Sequence, residues 1–263
     1  MLRSTFCCYR GLSPDAERRL WREGCLVWDH LPHLAHRLVS PRKVTALLAQ
    51  LPHLRAALDG RVADVFLRRL PAGRRTRIWP EFGRGMGFLD VETSGLARCD
   101  EITVVGLHVE GKLHQFVAGR NIEEFLRVWR RVEVLVTFNG MAFDLPRILR
   151  AFGLTSVPPH LDLRSEAQAH GLVGGLKQIE KTMGFVREDF EDGNGSLASE
   201  WWAQYVQHHD ADALDRLLRY NARDTLALID LIEHLWHRSM EGFPSPLVRP
   251  AQTTAVVAAS STL

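Results

Sequence analysis

Cysteine is scarce in this chain, and the few cysteines form no recognisable set. The four are Cys7, Cys8, Cys25 and Cys99. They have no C-x-x-C spacing and no histidine partners at zinc-finger distance. We therefore expect neither a zinc site nor a disulfide framework, and predict reduced thiols in a cytoplasmic protein.

Long apolar runs are also missing. No stretch of roughly 18 consecutive apolar residues occurs, so the sequence predicts no membrane-spanning helix. Residues Met1–Gly11 lack the apolar segment of a secretory signal, and we expect no such leader there. Apolar residues nevertheless make up 46% of the 263 residues, which is enough for one large domain or one domain with an appendage.

Net charge is small overall but is divided unevenly along the chain. The formal charge is +2. Residues 1–80 hold 15 Lys and Arg against 6 Asp and Glu, a balance of +9, whereas the remainder holds 18 against 25, a balance of −7. A basic segment beside an acidic body suggests a polyanion held near a cation-binding site. An ordinary arginine-rich surface would give the same counts.

Helix signals dominate the basic segment 1–80. Two Ser-Pro pairs, at 13–14 and 40–41, each combine an N-cap residue with proline at the first helical position. The predicted helices are Pro14–Glu23, Val44–Leu51 and His53–Leu70. Residues 1–70 are therefore predicted to be a small all-α region, and Pro71–Arg77 a basic linker within the basic N-terminal region 1–80.

From Phe88 onward the pattern changes to short apolar strands. The predicted strands are Phe88–Val91, Ile102–Val109, Leu113–Val117, Val132–Phe138 and His160–Leu163. The predicted helices are Ile122–Arg131, capped by Asn121, Leu145–Phe152, Arg164–His170, Gly175–Met183, Ser196–Gln207 and a long helix from Ala211 to about Trp236. This order predicts an α/β domain over 84–238, a mixed sheet flanked by helices. Residues 241–263, with three prolines, are predicted to be a disordered tail.

Two acidic residues interrupt the first predicted strand. Asp90 and Glu92 lie two positions apart, so their carboxylates point to the same face, about 6–7 Å apart along the strand. Like charges in an apolar strand are costly unless a cation lies between them, and hard divalent cations take carboxylate oxygens. A strand end with two solvated acids is the alternative, and the spacing alone does not separate the two.

Asp224 occupies a place in the apolar face of the long predicted helix. Leu217, Tyr220, Asp224 and Leu228 share this face by helical spacing. A buried, unpaired carboxylate costs several kcal/mol. A hydrogen bond to Tyr220, one turn away, is one explanation. Completion of a metal site with the strand acids is the other.

Asn139 and Asp144 follow the end of another predicted strand, where ligands usually bind in such sheets. Asp144 could simply cap the next helix, and Asn139-Gly140 could be an ordinary turn. Together with the other acids, Asp144 could instead help to hold two Mg²⁺ or Mn²⁺ ions roughly 4 Å apart, the spacing used for phosphodiester cleavage.

Three motifs carry a family resemblance. They are Asp90-Val-Glu92, Asn139-Gly-Met-Ala-Phe143-Asp144 and Tyr220-Asn-Ala-Arg-Asp224. In order and spacing they resemble the motifs of the DEDD (DnaQ-like) 3′–5′ exonucleases, and the tyrosine four residues before the last Asp is typical of the DEDDy subgroup. Further matches are His160-Leu-Asp-Leu163, Gly174-Gly-Leu-Lys177 and Trp201–Tyr205, which are similar to the YprB-like branch of predicted exonucleases. The resemblance covers about 88–236 well and 5–87 weakly.

The resemblance implies an RNase H-like mixed sheet flanked by helices and a metal-dependent 3′–5′ exonuclease acting on single-stranded DNA or RNA. In that family pattern the two Mg²⁺ or Mn²⁺ ions are held by Asp90, Glu92, Asp144 and Asp224, with Asp90 bridging them. Tyr220 would orient the attacking water. Thr93 and Leu96 would contact the last nucleotide, and Asn139 and Phe143 would help to position it. Lys177 would pair with a phosphate; a solvated lysine near a helix start is the alternative.

Two other functions are compatible with parts of the sequence. A nucleic-acid-binding module could keep the fold without turnover, with residues 1–80 as its main functional element. Clustered acids repel one another and repel phosphate, so a pure binder would do better without them. A His-Asp phosphohydrolase is suggested by His209-Asp210, but Asp210 stands at a predicted helix start, where it suits the N-cap.

Overall fold

The computed structural model describes residues 1–34, 36, 40–95, 100–185 and 195–244. In these residues the helices before the sheet are α1 (Pro14–Arg22), α2 (Leu31–Leu34), α3 (Pro41–Leu48), α4 (Leu51–Asp59), α5 (Ala63–Arg69) and α6 (Trp79–Phe82). The strands are β1 (Met86–Thr93), β2 (Ile102–Val109), β3 (Lys112–Val117), β4 (Val134–Thr137) and β5 (His160–Asp162). The later helices are α7 (Phe125–Trp129), α8 (Asp144–Phe152), α9 (Leu163–Ala169), α10 (Leu176–Met183), α11 (Gly195–His208) and α12 (Ala211–Ser239).

The strands form one mixed sheet in the order β3-β2-β1-β4-β5. β1, β2 and β3 pair antiparallel, whereas β1 pairs parallel with β4, and β4 with β5. Helices pack on the sheet, and the predicted mixed α/β architecture is confirmed. Because β1, β4 and β5 run in the same direction, their carboxyl ends meet at one edge of the sheet. Asp90, Glu92, Asn139 and Asp162 all lie at or just beyond these ends.

Both faces of the sheet are covered, which explains why its central strands are apolar almost throughout. On one face, Leu89 and Val91 of β1 join a core with α7 and α8. On the other face, Phe88 of β1 joins a core with α12. The hairpin between β2 and β3 turns at Glu110 and Gly111, both with positive φ (52° and 78°), as a tight two-residue hairpin turn requires.

Two helix predictions in this fold are wrong in detail. The helix predicted over His53–Leu70 is two helices, α4 and α5, separated at Gly60 and Arg61, where Arg61 has a φ of 55°. Asn121 does not cap the following helix. Its Oδ1 accepts from the Val117 amide (2.7 Å) and its Nδ2 donates to the Gln115 carbonyl (3.1 Å), so it closes the end of β3 instead. The Asn121 side chain thus bonds two backbone groups near the end of β3, which takes the place of bonding to the helix.

Residues 1–80 share a hydrophobic core with the α/β domain. Leu2 and Phe6 belong to the same cluster as Phe88 of β1 and Trp236 of α12. A buried ion pair reinforces this junction: Arg77 Nη1 donates to Glu17 Oε2 (2.7 Å), and both side chains are 1% exposed.

The guanidinium of Arg77 also reaches the end of the last described helix. Its Nε and Nη2 donate to the carbonyl of Ser239, the final residue of α12 (3.1 and 2.8 Å). Removing one member of such a buried pair costs about 3–5 kcal/mol, because the other charge is left uncompensated. Phe243, just beyond α12, packs on Trp21 (ring centroids 4.6 Å apart). Most of the tail predicted to be disordered, 245–263, lies outside the described residues.

No helix in the described part of the chain combines the length and the apolar character needed to cross a bilayer.

Candidate active site

Four acidic side chains from three separate segments line one pocket. β1 supplies Asp90 and Glu92, the first residue of α8 is Asp144, and α12 supplies Asp224. One carboxylate oxygen from each of Asp90, Glu92 and Asp224 lies within 4.8 Å of the others. Asp144 lines the same pocket, which has a volume of about 650 Å³. The acids that the sequence placed far apart are thus brought together.

The close approach of α12 to the sheet depends on Gly106 of β2. Gly106 pairs with Asp90 across the antiparallel strands. A Cβ atom there would clash with Thr225 Oγ1 and Asn221 Oδ1 of α12. Only glycine lets this helix lie so close to the strand. The contact brings the middle of α12, with Asp224, over the acids of β1.

Asn221 connects α12 to the first acid. Its Nδ2 donates to Asp90 Oδ2 (2.9 Å) and its Oδ1 accepts from Gln115 Nε2 (3.1 Å). An amide between a donor and a carboxylate can adopt only one orientation. Asn221 is fully buried and therefore holds the Asp90 carboxylate in a fixed position.

Burial and mutual repulsion raise the pKa values of three of the acids. Burial, followed by the charge of Glu92, raises the pKa of Asp90 well above its ordinary value. Burial, with the charges of Asp224 and Asp144, raises the pKa of Glu92 to about 8, although Lys177 opposes this. Burial raises the pKa of Asp144 to about 7, against hydrogen bonds from backbone groups. Positive charge in the pocket would relieve this repulsion.

Asp144 begins α8 and is not its N-cap, which is Phe143. The turn before it is held tightly. The Gly140 amide donates to Thr137 Oγ1 (3.1 Å), and a Cβ at Gly140 would clash with that threonine. Asn139 has a φ of 62°, a conformation that asparagine tolerates better than most residues. The turn therefore directs Asp144 into the pocket.

Tyr220 lines the pocket one helical turn before Asp224. It is 4% exposed, and its ring packs edge-on against Trp201 (centroids 5.9 Å apart). Lys177 Nζ lies 4.5 Å from the centroid of the Tyr220 ring. Lys177 is thus placed beside the tyrosine and close enough to Glu92 to lower its pKa. Its pairing with a phosphate stays a prediction.

All but one of the pocket residues predicted to contact the terminal nucleotide lie in the described part of the chain. Thr93, Asn139 and Phe143 line the pocket. The guanidinium of Arg147 stacks on the ring of Phe143 (3.7 Å to the centroid). Leu96 lies outside the described residues.

Sequence reasoning missed several residues that shape this pocket. Gly106 and Asn221 bring α12 to Asp90, while Asp162 and Arg164 hold the turn at Asn139. Asn221 and Asp162 lie inside two of the motifs that carry the family resemblance. Gly106 is a lone glycine inside an apolar strand, which is a signal of close backbone approach. Arg164 carried no signal.

The donor set suits a divalent cation. The clustered atoms are carboxylate oxygens, which hard cations prefer, and they stand close enough for one ion to contact several of them. Crowded, buried carboxylates with raised pKa values are also the groups that gain most from a bound cation. The residues present therefore fit a divalent metal site.

Two solved structures are similar to this chain over part of its length. One similar solved structure is the family B DNA polymerase from the hyperthermophilic archaeon Pyrobaculum calidifontis, with 17% identity and a TM-score of 0.44, over 60% of this chain and 26% of the polymerase. Another is described as the apo form of a nuclease, with 20% identity and a TM-score of 0.42, over 60% of this chain and 74% of that one. The matched region is thus about a quarter of the polymerase.

A search of curated protein sequences finds no match. A family model described as the RNase_H superfamily matches residues 87–236. Because that match covers more than half of the chain and includes all four acids, this chain belongs to the RNase_H superfamily.

Proposed function

We propose that this protein is a metal-dependent 3′–5′ exonuclease of the DEDDy type, similar to the YprB-like branch, which hydrolyses phosphodiester bonds of single-stranded DNA or RNA. One observation carries the proposal: Asp90, Glu92, Asp144 and Asp224, delivered by three distant segments, line a single pocket together with Tyr220. A pocket of about 650 Å³ is in the size range of sites for single small ligands, which suits one terminal nucleotide.

The four acids would hold two Mg²⁺ or Mn²⁺ ions. Bound there, the ions would lower the pKa of a water molecule and stabilise the leaving 3′ oxygen. The raised pKa values of Asp90 and Glu92 support this role, because these buried carboxylates crowd one another and Lys177 offsets only part of the effect at Glu92.

The surrounding residues would orient the reacting groups. Asn221 fixes the Asp90 carboxylate, and Tyr220 would hold the attacking water through its hydroxyl group. Its ordinary pKa, about 10, makes a tyrosine a poor general base, so orientation is the better role. Thr93, Asn139 and Phe143 would contact the terminal nucleotide.

The basic residues of 1–80 are expected to help bind phosphates, but much of their charge is already engaged. Ion pairs with acidic residues involve Arg3, Arg18, Arg55, Arg61, Arg68, Arg75 and Arg77. The contribution of this region to affinity is therefore expected to be smaller than its net charge suggests. A cytoplasmic location stays a prediction, drawn from cysteine usage; the described cysteines are free and buried.

Incubation with end-labelled single-stranded DNA and RNA tests the proposal. With Mg²⁺ or Mn²⁺, a 5′-labelled strand should shorten stepwise and a 3′-labelled strand should release labelled mononucleotide at once. Excess EDTA should abolish both. Asp215→Asn, which removes a carboxylate from an exposed site of the same helix as Asp224, is the matched control for Asp224→Asn. Internal fragments, or cleavage that continues in EDTA, would refute the proposal. Tight binding without release would favour a binding module.

A further inference from the structure

Arg164 is the one arginine or lysine among the described residues that line the pocket. It lies in the first turn of α9 and is exposed. Its Nη1 donates to Asn139 Oδ1 (2.8 Å). No carboxylate in the described parts of the chain forms an ion pair with it, in contrast to the seven paired arginines of residues 1–80. Its remaining donors are therefore available at the pocket.

Asp162 joins Arg164 and Asn139 into a network between two loops. Asp162 Oδ1 accepts from the Asn139 amide (2.8 Å) and from the Arg164 amide (3.0 Å). The first bond holds the turn after β4, and the second begins α9 after β5. Asn139, with its left-handed backbone, is thus held from both its main chain and its side chain.

The hydrogen bond from Arg164 fixes the orientation of the Asn139 side-chain amide. A guanidinium has donors only, so the amide must present its oxygen to Arg164. The amide nitrogen then points away from Arg164, and Asn139 lines the pocket. It can donate to an acceptor there, such as a phosphate or sugar oxygen.

We propose that Arg164 is a substrate-binding residue that contacts a phosphate of the nucleic-acid strand. At the same time it orients the Asn139 side-chain amide so that its nitrogen faces that strand. The proposal rests on the proposed function, since it takes a nucleic-acid strand as the ligand. Carboxylates line the pocket and repel phosphate, so the exposed Arg164 would add positive charge for the strand beside the metal ions that the acids would hold. The planar guanidinium can serve a carbonyl oxygen and a phosphate at the same time, which a lysine ammonium does less well.

Affinity measurements that need no turnover test the first half of this proposal. The probes are 5′-fluorescein-labelled oligothymidylate and oligouridylate, titrated in excess EDTA at several salt concentrations. Arg164→Gln should weaken binding by about 10-fold and reduce the slope of log affinity against log salt by about 0.7, the value for one contact to a single strand. Arg164→Lys should fall between Arg164→Gln and wild type. Arg127→Gln, which removes an exposed arginine outside the pocket, is the control and should change neither quantity.

Asn139→Asp tests the orientation of the amide. The aspartate keeps an oxygen toward Arg164 and replaces the donating nitrogen with a second oxygen. The melting temperature should hold or rise, because an ion pair with Arg164 forms, while affinity for the probes should fall. A purely structural network would instead lose melting temperature and affinity in parallel.

The outcomes separate this proposal from the exonuclease proposal. Arg164→Gln that binds with the same affinity and salt slope as Arg127→Gln would overturn the role of Arg164. A wild type that binds the probes but releases no nucleotide with Mg²⁺ or Mn²⁺ would refute the exonuclease activity alone, since the affinity comparison still decides the role of Arg164. A wild type that neither binds the probes in EDTA nor releases nucleotide with Mg²⁺ or Mn²⁺ would overturn both.

Discussion

Replacing Asp224 by asparagine should make the metal-free protein more stable and the metal-loaded enzyme nearly inactive. The substitution keeps the shape of the side chain and removes one charge from the acid cluster. Asp224 contributes to the raised pKa values of both Asp90 and Glu92. If the Asp90 and Glu92 carboxylates are ionised, removing the charge of Asp224 relieves their repulsion. If they are protonated, removing that charge has little effect on stability.

The size of the effect follows from the spacing of the oxygens. Two unit charges 4.8 Å apart repel each other by about 3.5 kcal/mol at an effective dielectric constant near 20, and by about 1 kcal/mol in bulk water. Asp224→Asn should therefore stabilise the metal-free protein by roughly 1–3 kcal/mol at about pH 9. At about 2–4 °C per kcal/mol for a chain of this size, the melting temperature should rise by roughly 2–12 °C. Near pH 5, with the neighbouring acids protonated, the gain should disappear.

Melting temperatures with EDTA and with Mg²⁺, at both pH values, test this prediction. Wild type should gain stability from Mg²⁺, because the ion binds only the folded state, and the variant should gain less. Nucleotide release should fall by about 100-fold or more, in line with the several kcal/mol that a catalytic metal supplies. Asp215→Asn should change neither the response to Mg²⁺ nor the rate. A variant that is less stable than wild type at high pH and still cleaves normally would show that Asp224 is structural.

Three further predictions concern the same pocket. Tyr220→Phe should slow nucleotide release by about 10-fold, less than Asp224→Asn, because it removes one orienting hydroxyl group. It removes no carboxylate, so the response of the melting temperature to Mg²⁺ should be unchanged. A rate equal to wild type would remove Tyr220 from the mechanism. Gly106→Ala should lower the free energy of unfolding by about 1–3 kcal/mol, through the clash with Asn221 and Thr225, and should also reduce the rate; an unchanged melting temperature would show that α12 does not rest on this glycine. The raised pKa values of Glu92 and Asp144 favour the folded state below the ordinary carboxyl pKa, and this stability is lost as the pH rises through about 7 for Asp144 and about 8 for Glu92. The raised pKa of Asp90 acts in the same direction. The metal-free protein should therefore lose up to about 1.4 kcal/mol per pH unit and per group between about pH 5 and 8, and Mg²⁺ should raise the melting temperature more at pH 8 than at pH 6. A flat profile of melting temperature against pH in EDTA would contradict the last prediction.

The sheet could be predicted because its strands are short, apolar and separated by clear turn signals. β2 has the predicted bounds, and the order of strands and helices was sufficient to predict a mixed sheet. That Asp90 and Glu92 point to the same face of β1 followed from the two-residue period of a strand. Their meeting with Asp144 and Asp224 followed from motif order and from the shared edge of parallel strands.

Contacts between distant segments could not be predicted in the same way. Nothing local in the sequence distinguishes Arg77, which is buried against Glu17, from the neighbouring arginines of a segment that was predicted to be a basic linker. The break between α4 and α5 was also hidden, because apolar residues continue at helical spacing through Arg61. The role of Arg164 depends on two loops that only the fold brings together.

The buried contact between Arg77 and the end of α12 has a consequence for the order of synthesis. The carbonyl that accepts from Arg77 belongs to Ser239, 162 positions later in the chain. Helices α1 to α6 therefore leave the ribosome long before the segment that completes their core, which includes Leu235 and Trp236. Until α12 emerges, Arg77 has Glu17 but not its backbone acceptor, and the apolar residues around it stay open to other chains. The same last helix brings Tyr220 and Asp224, so one late segment of the nascent chain completes both the acid cluster and the core of the first helices.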